Sequence, residues 1–127
     1  MAAGHGNTVA LRRPFSSTLI FNRSDVANDR IASIGGTRTL SGTIAHETVH
    51  ILTARYLGEV RNARLPRWKR EGYADFVARE TSLRGDDAAR MRARSPDAAV
   101  LEYFDGRRRV GVELERNGGS VDALLGR

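Results

Sequence analysis

The sequence predicts a small, mostly helical α+β domain, and three observations lead to this prediction. The 127 residues are the length of a single domain. One β-prone run, from Thr18 to Phe21, stands near the start and is followed by polar turn residues. Beyond residue 38, apolar residues recur at helical spacing between glycine and proline breaks. A hydrophobic fraction of 40% is sufficient for one modest core.

The β element comes first along the chain. Residues 18–22 are the best strand candidate, and residues 9–11 are their expected partner. We expect residues 1–13 to be largely flexible, because the start of a chain is poorly ordered unless other elements hold it. The pair Gly35-Gly36 marks a loop before the longest helix.

Four longer helices and one short helix are predicted after this loop. The first carries apolar residues on more than one stripe, which is typical of a largely buried helix. Glycine, proline and serine residues mark the limits of the others. The predicted helices are Thr39 to Leu57, ending at a left-handed Gly58; Arg67 to Leu83, after Pro66; Asp86 to Arg94; Ala98 to Asn117, either continuous or interrupted at Gly106; and Val121 to Leu125, capped by Ser120.

The most informative part of the chain is the string His46-Glu47-Thr48-Val49-His50, which has the form H-E-x-x-H. Two histidines four apart on a helix project from the same face, so one tetrahedral metal ion can take a nitrogen from each. Glu47 lies on the adjoining face. There its carboxylate can reach a water on the metal without binding the metal itself.

A zinc hydrolase needs a third protein ligand and one open position. No histidine follows His50, and Thr53 and Tyr56 stand where a longer histidine motif needs glycine and histidine. A glutamate from a second helix fits instead. Glu71 lies 21 positions after His50, and Asp75 follows one turn later on the same face.

H-E-x-x-H followed at this distance by E-x-x-x-D resembles the gluzincin metallopeptidases, the group that contains thermolysin and a large set of aminopeptidases. The run from Trp68 to Gly72 is also similar to that group. The resemblance covers about residues 38–125 and implies a zincin-like minimal metallopeptidase domain, with a small β element before the active-site helix.

The resemblance also implies a role for each matching residue. His46, His50 and Glu71 would bind one zinc ion per chain. Glu47 would be the general base. Asp75 would accept the free ring N–H of a ligand histidine, foremost that of His46, and so fix its tautomer.

The segment Tyr103-Phe104-Asp105-Gly106 partly matches an element of the related aminopeptidases, in which a tyrosine stabilises the tetrahedral intermediate. Asp105 stands where those enzymes have lysine. A phenol O–H directed at a developing oxyanion would make Tyr103 catalytic. The other interpretation is a half-buried aromatic side chain at the start of a helix.

Two features depart from the family pattern. The G-x-M-E-N element that binds the substrate amine in the aminopeptidases is absent from the sequence. About 45 residues precede His46, which leaves room for two strands at most, whereas large gluzincins have a several-stranded sheet there. By resemblance, the strand at residues 18–22 would be the edge strand over the cleft.

Composition limits the partners and the metal chemistry. The net charge is +6, but the basic residues are dispersed and aromatic residues are only 6% of the chain, so no nucleic-acid partner is expected. No cysteine is present, so imidazole and carboxylate groups must hold any metal. The sequence shows no secretory signal and no apolar run of bilayer length, so no membrane partner and a cytoplasmic location are expected.

The expected function is that of a zinc-dependent peptide hydrolase, in which a metal-activated water attacks the carbonyl of a peptide or protein substrate. A non-catalytic zinc-binding domain, or a vestigial peptidase-like domain, is the alternative, because the sheet is so short. A basic helical domain that binds nucleic acid is a third possibility. It predicts steeply salt-dependent binding.

Overall fold

The structure is a computed structural model, and it describes residues 10–13, 15–21, 23–32 and 38–127. These residues form a mostly helical α+β domain, as predicted. The strands are β1 (Ala10–Arg12), β2 (Leu19–Phe21), β3 (Ser24–Asp25) and β4 (Arg30–Ile31), and the helices are α1 (Leu40–Leu57), α2 (Glu59–Arg64), α3 (Arg67–Ala78), α4 (Gly85–Arg94), α5 (Ala99–Arg116) and α6 (Val121–Leu125). No helix in the described part is long and apolar enough to cross a bilayer.

The first two strands form an antiparallel hairpin in which Ala10 lies opposite Phe21. The predicted pairing is therefore confirmed within one residue, although Val9 and Asn22 lie outside the described residues. Ala10–Arg12, in the segment that was expected to be flexible, pair with β2 as β1. Residues 1–9 and the pair Gly35-Gly36 fall outside the described part of the chain.

A second antiparallel hairpin joins β3 to β4, so the described residues contain four strands where the sequence left room for two. Local turn chemistry closes it. The backbone N–H and side-chain amide of Asn28 donate to the two carboxylate oxygens of Asp25, at 3.2 and 2.7 Å. Strands of two residues are too short for an alternation of apolar and polar residues to reveal them.

Helix α1 begins where the sequence places it, because the Thr39 hydroxyl accepts the Gly42 N–H at 2.9 Å. It ends at Gly58, which has a positive φ of 81° but an extended ψ of 150° rather than the left-handed conformation. The reason is that α2, which the sequence did not predict, starts at the next residue. The helix is also less buried than expected, since Ile44 and Leu52 are exposed.

Helix α3 ends at Ala78 instead of the predicted Leu83, with Arg79 in the left-handed conformation. The following residue, Glu80, turns back to α1, where its carboxylate accepts the N–H and the hydroxyl of Thr39 at 2.5 Å each. This contact satisfies a donor at the start of α1 and removes Glu80 from the helix. The end of α3 is therefore decided by a residue 41 positions away.

Helices α3 and α5 cross at two glycines. A Cβ atom at Gly72 would lie 2.4 Å from the carbonyl carbon of Gly106, and one at Gly106 would lie 2.7 Å from the Trp68 carbonyl oxygen. Gly72 therefore lies against α5. Gly106 does not interrupt α5, which is continuous from Ala99 to Arg116.

The buried apolar side chains form two clusters on either side of this crossing. One is centred on Val110 and Leu124, and the other on Leu83 and Leu101. Helices α4 and α6 close these clusters, with bounds that agree with the prediction to within one residue. Trp68 is partly buried and packs against the first cluster.

Candidate metal centre

Helices α1 and α3 bring three potential ligand atoms together. His46 Nε2 and His50 Nε2 are 3.0 Å apart, and Glu71 Oε2 lies 3.3 Å from the first and 3.1 Å from the second. All three side chains are at least 85% buried. The sequence-predicted ligands therefore form one compact triangle with little access to solvent.

The size of this triangle fits a tetrahedral cation. Zinc binds imidazole nitrogen and carboxylate oxygen at about 2.0–2.1 Å, and a tetrahedron with such bonds has edges of roughly 3.3 Å. The observed edges of 3.0 to 3.3 Å are close to this value. Three protein ligands are the number that a catalytic zinc site uses, which leaves its fourth position for water or substrate. Imidazole and carboxylate also suit other divalent ions, so the donor set alone does not select zinc.

Electrostatics at the triangle favour positive charge. Burial would lower the pKa of His46, but the Asp75 and Glu71 carboxylates outweigh it and raise this pKa to about 9. Burial would raise the pKa of Glu71, but hydrogen bonds to His46 and His50 hold it well below its usual range. Without metal, a proton on His46 balances these carboxylates. A bound cation would supply that charge and displace the proton.

Asp75 lies directly behind His46, as the resemblance implies. Its side chain is fully buried, and its Oδ1 is 2.6 Å from His46 Nδ1. An Nδ1–H that donates to this carboxylate leaves the Nε2 lone pair directed at the triangle. Asp75 lies one turn after Glu71 on α3, so one helix supplies both groups.

Sequence reasoning missed Arg38, which lies behind Asp75. The Nη2 atom of Arg38 donates to both carboxylate oxygens of Asp75, at 2.7 and 2.9 Å, and the Nε atom of Arg38 donates to the Ser82 hydroxyl at 2.8 Å. These contacts span 37 and 44 positions, so no local motif reveals them. The available signal was chemical, because a buried aspartate needs a cation, and Arg38 directly precedes the N-cap of α1.

Glu47, the expected general base, follows His46 on α1 and is half-buried. Among the described residues, none forms a hydrogen bond or an ion pair with its carboxylate. A carboxylate beside the ligand triangle with no such partner is available to accept a proton from a water.

Tyr103 also lies beside the triangle. Its ring is nearly parallel to that of His46, with centroids 6.4 Å apart and an interplanar angle of 26°. It occupies the second turn of α5 rather than a helix start. Burial and the nearby Glu71 carboxylate raise its pKa, against the opposing effect of Arg67, so the phenol keeps its proton at neutral pH. A protonated phenol can donate a hydrogen bond.

A cavity of about 430 Å³ opens beside the triangle, against His50 and Glu71. Helix α2 forms an apolar wall through Val60 and Ala63. Sequence reasoning missed this wall because α2 itself was not predicted.

The N-terminal hairpin reaches the same cavity through Phe15, in the connection between β1 and β2. The Phe15 N–H donates to Glu59 Oε1 at 2.9 Å, which ties this connection to α2. The resemblance gave the place over the cleft to the strand at residues 18–22, but the connection before it is what lines this cavity.

Comparison of the chain with known protein families, with curated proteins and with solved structures found no match. The chemistry of the site is therefore derived from its own residues.

Proposed function

We propose that the chain is a zinc-dependent peptide hydrolase of the gluzincin type, with a zincin-like minimal domain. The observation that carries this proposal is the triangle of His46, His50 and Glu71, with edges of 3.0 to 3.3 Å. The Asp75 carboxylate behind His46 supports it, because buried carboxylates behind ligand imidazoles are typical of metal centres.

In this proposal the three triangle residues hold zinc, which when bound polarises a carbonyl and lowers the pKa of water. Glu47 accepts the proton of the attacking water and later donates it to the leaving amine. Tyr103 donates its phenol O–H to the oxyanion that develops on the substrate carbonyl. The donor and the base thus come from different helices, α5 and α1, that meet at the site.

In this proposal the substrate binds in the cavity beside His50. Its volume of about 430 Å³ falls in the range of ligand pockets, and the walls at Val60 and Ala63 are apolar. We infer that the cavity accepts an apolar side chain next to the cleaved peptide bond. Peptides with such a residue are therefore the expected substrate class.

The test uses the full chain, zinc-loaded, on a library of short peptides. Glu47→Gln should lower the cleavage rate by about 10²–10⁴-fold, the usual contribution of a general base. Zinc binding should be unchanged, since Glu47 is not among the ligands. Glu115→Gln, an exposed substitution on α5, is the matched control. Zinc-dependent cleavage that survives in Glu47→Gln contradicts the proposal.

A non-catalytic zinc-binding domain is the second candidate. The short strands favour it, because none of those described exceeds three residues and substrate alignment in large gluzincins uses a longer sheet edge. Tight zinc binding by the parent chain, together with no cleavage anywhere in the library, would establish this alternative.

A further inference from the structure

We propose that Arg38 is a positioning residue of the metal centre, which sets metal affinity by fixing the Asp75 carboxylate behind His46. The inference rests on the proposed function only in requiring that a metal binds the triangle. It assigns a role to a residue that no sequence motif includes.

The first support is that His46 and Arg38 both contact the Asp75 carboxylate. Its Oδ1 contacts His46 Nδ1 at 2.6 Å and Arg38 Nη2 at 2.7 Å, while Oδ2 is held by Arg38 alone at 2.9 Å. Without Arg38, the imidazole would be the one described partner of a fully buried carboxylate. Since a buried charge with too few partners is costly, the carboxylate would then turn away from this position.

A turned Asp75 carboxylate no longer accepts the Nδ1–H of His46 in the same geometry. The ring of His46 then loses the contact that directs its Nε2 lone pair at the triangle. Arg38 prevents this by holding both carboxylate oxygens. It thus acts on the metal through Asp75 and His46, without touching the metal.

The second support is that Arg38 is itself fixed. Its Nε donates to Ser82 at 2.8 Å, and its side chain is 92% buried. Arg38 precedes α1 and Ser82 follows α3, so the contact joins the two helices that carry the ligands. A planar guanidinium bound on two sides has little freedom to move.

The same junction provides a matched control. Glu80 also joins the end of α3 to the start of α1, through the N–H and hydroxyl of Thr39, and its side chain is not among the described partners of the Asp75 carboxylate. Glu80→Gln therefore weakens the junction and leaves the carboxylate behind His46 in place. A loss of metal affinity caused by a loosened junction would appear in this variant as well.

The experiment measures zinc affinity of the metal-free full chain at one pH, in competition with a chromophoric chelator. Arg38→Met should bind zinc about 10–100-fold more weakly, the usual effect of removing support behind a metal ligand. Arg38→Lys keeps the charge but loses the Nε–H that is donated to Ser82, so its affinity should be intermediate. Glu80→Gln should be less stable in urea and bind zinc as the parent does. The visible absorption of bound Co²⁺ should change in Arg38→Met but not in Glu80→Gln.

Either Arg38 variant binding zinc as tightly as the parent would overturn the inference, and Arg38→Lys decides it if Arg38→Met does not fold. Equal losses of affinity in Glu80→Gln and Arg38→Met would also overturn it, because junction stability would then explain both. A parent chain that binds no zinc refutes the metal centre and this inference together. A parent that binds zinc alongside an unaffected Arg38→Met refutes this inference alone.

Discussion

At the scale of single residues, Asp75 is a fully buried carboxylate whose charge must be balanced by its neighbours. It accepts hydrogen bonds from a ligand histidine on one side and from an arginine on the other. Its negative charge is what makes positive charge at His46 and Arg38 tolerable in the interior. Stability and the proposed metal binding therefore depend on the same carboxylate.

Asp75→Asn tests this dependence. We expect zinc affinity to fall by about 10–100-fold. The free energy of unfolding should fall by about 3–5 kcal/mol, because Arg38 is left as an uncompensated buried charge. Urea unfolding and zinc titration measure the two effects. Asp87→Asn, which removes an exposed partner of Arg90, should change neither. Asp75→Asn with parental zinc affinity would contradict the role given to this residue.

The pKa of His46 predicts how the stability of the metal-free chain changes with pH. Because this pKa is raised from 6.5 to about 9, the protonated imidazole adds to the free energy of unfolding. This contribution is fully present below pH 6.5 and is lost as the pH rises through 9. At about 1.4 kcal/mol per pH unit, this corresponds to about 3 kcal/mol at most. The depressed pKa of Glu71 acts at the other end, giving stability above pH 4.5 that is lost as pH falls below it.

Urea unfolding of the metal-free chain between pH 6 and 9.5 measures this loss. His46→Gln is the control, because it removes the titrating group and should give a flatter profile over the same range. Zinc-loaded protein should also show a flatter profile, since the metal replaces the proton. Equal slopes in the metal-free parent and in His46→Gln would show that another group is responsible.

At the scale of elements, the crossing of α3 and α5 depends on the absence of two side chains. Gly106→Ala would place a methyl group 2.7 Å from the Trp68 carbonyl oxygen. Backbone atoms cannot yield as a flexible side chain does, so we expect a loss of about 1–3 kcal/mol or more. The crossing also brings Tyr103 close to His46, so a displaced α5 should lower the proposed peptidase activity as well.

Gly111→Ala on the same helix is the control for this substitution. Its new methyl group would lie 3.5 Å from the Phe76 ring, an ordinary contact. Because alanine favours a helix over glycine, this variant should gain up to about 1 kcal/mol. Thermal unfolding compares the two variants. A Gly106→Ala protein as stable as Gly111→Ala would show that the helices do not cross as described.

The elements also show which parts of the fold the sequence could predict. Helices α1 and α6 have local caps at Thr39 and Ser120, and their starts were predicted correctly. The predicted end of α3 was wrong because the actual end depends on the contact of Glu80 with Thr39, the N-cap of α1. Helix α2 is too short, at six residues, for its apolar spacing to be distinctive.

The residues of the site also fall into those that the sequence could predict and those that it could not. The residues of α1 and α3 that form the triangle were predictable, because a helix fixes which of its side chains share a face. The spacing of His46 and His50, and that of Glu71 and Asp75, carries this information. Arg38 was not predictable, since its contact depends on how the chain enters α1. The walls of the cavity required α2 and the hairpin, and so were missed too.

At the scale of the whole molecule, the small domain places a buried ligand triangle next to an open cavity. Ala63→Trp, on the exposed side of α2, should partly fill the cavity while leaving the triangle unchanged. We expect cleavage of peptides with large apolar residues to fall by about 10–200-fold, the usual range for a mismatched apolar pocket. Peptides with small residues should be less affected.

Ala123→Trp on α6, where the alanine is also exposed, is the control for this substitution, and zinc affinity should match the parent in both variants. Cleavage rates for a series of peptides that differ in this side chain show whether the cavity selects it. If Ala63→Trp lowers all rates equally, the cavity does not select the side chain.

The metal content of the chain decides whether one metal ion binds the triangle of His46, His50 and Glu71. Elemental analysis of the full chain, purified without chelator and then equilibrated with zinc, should find about one zinc per chain. Glu71→Ala should lose that zinc and remain folded by circular dichroism. A parent chain that takes up no zinc, or a Glu71→Ala chain that keeps one, would contradict the account.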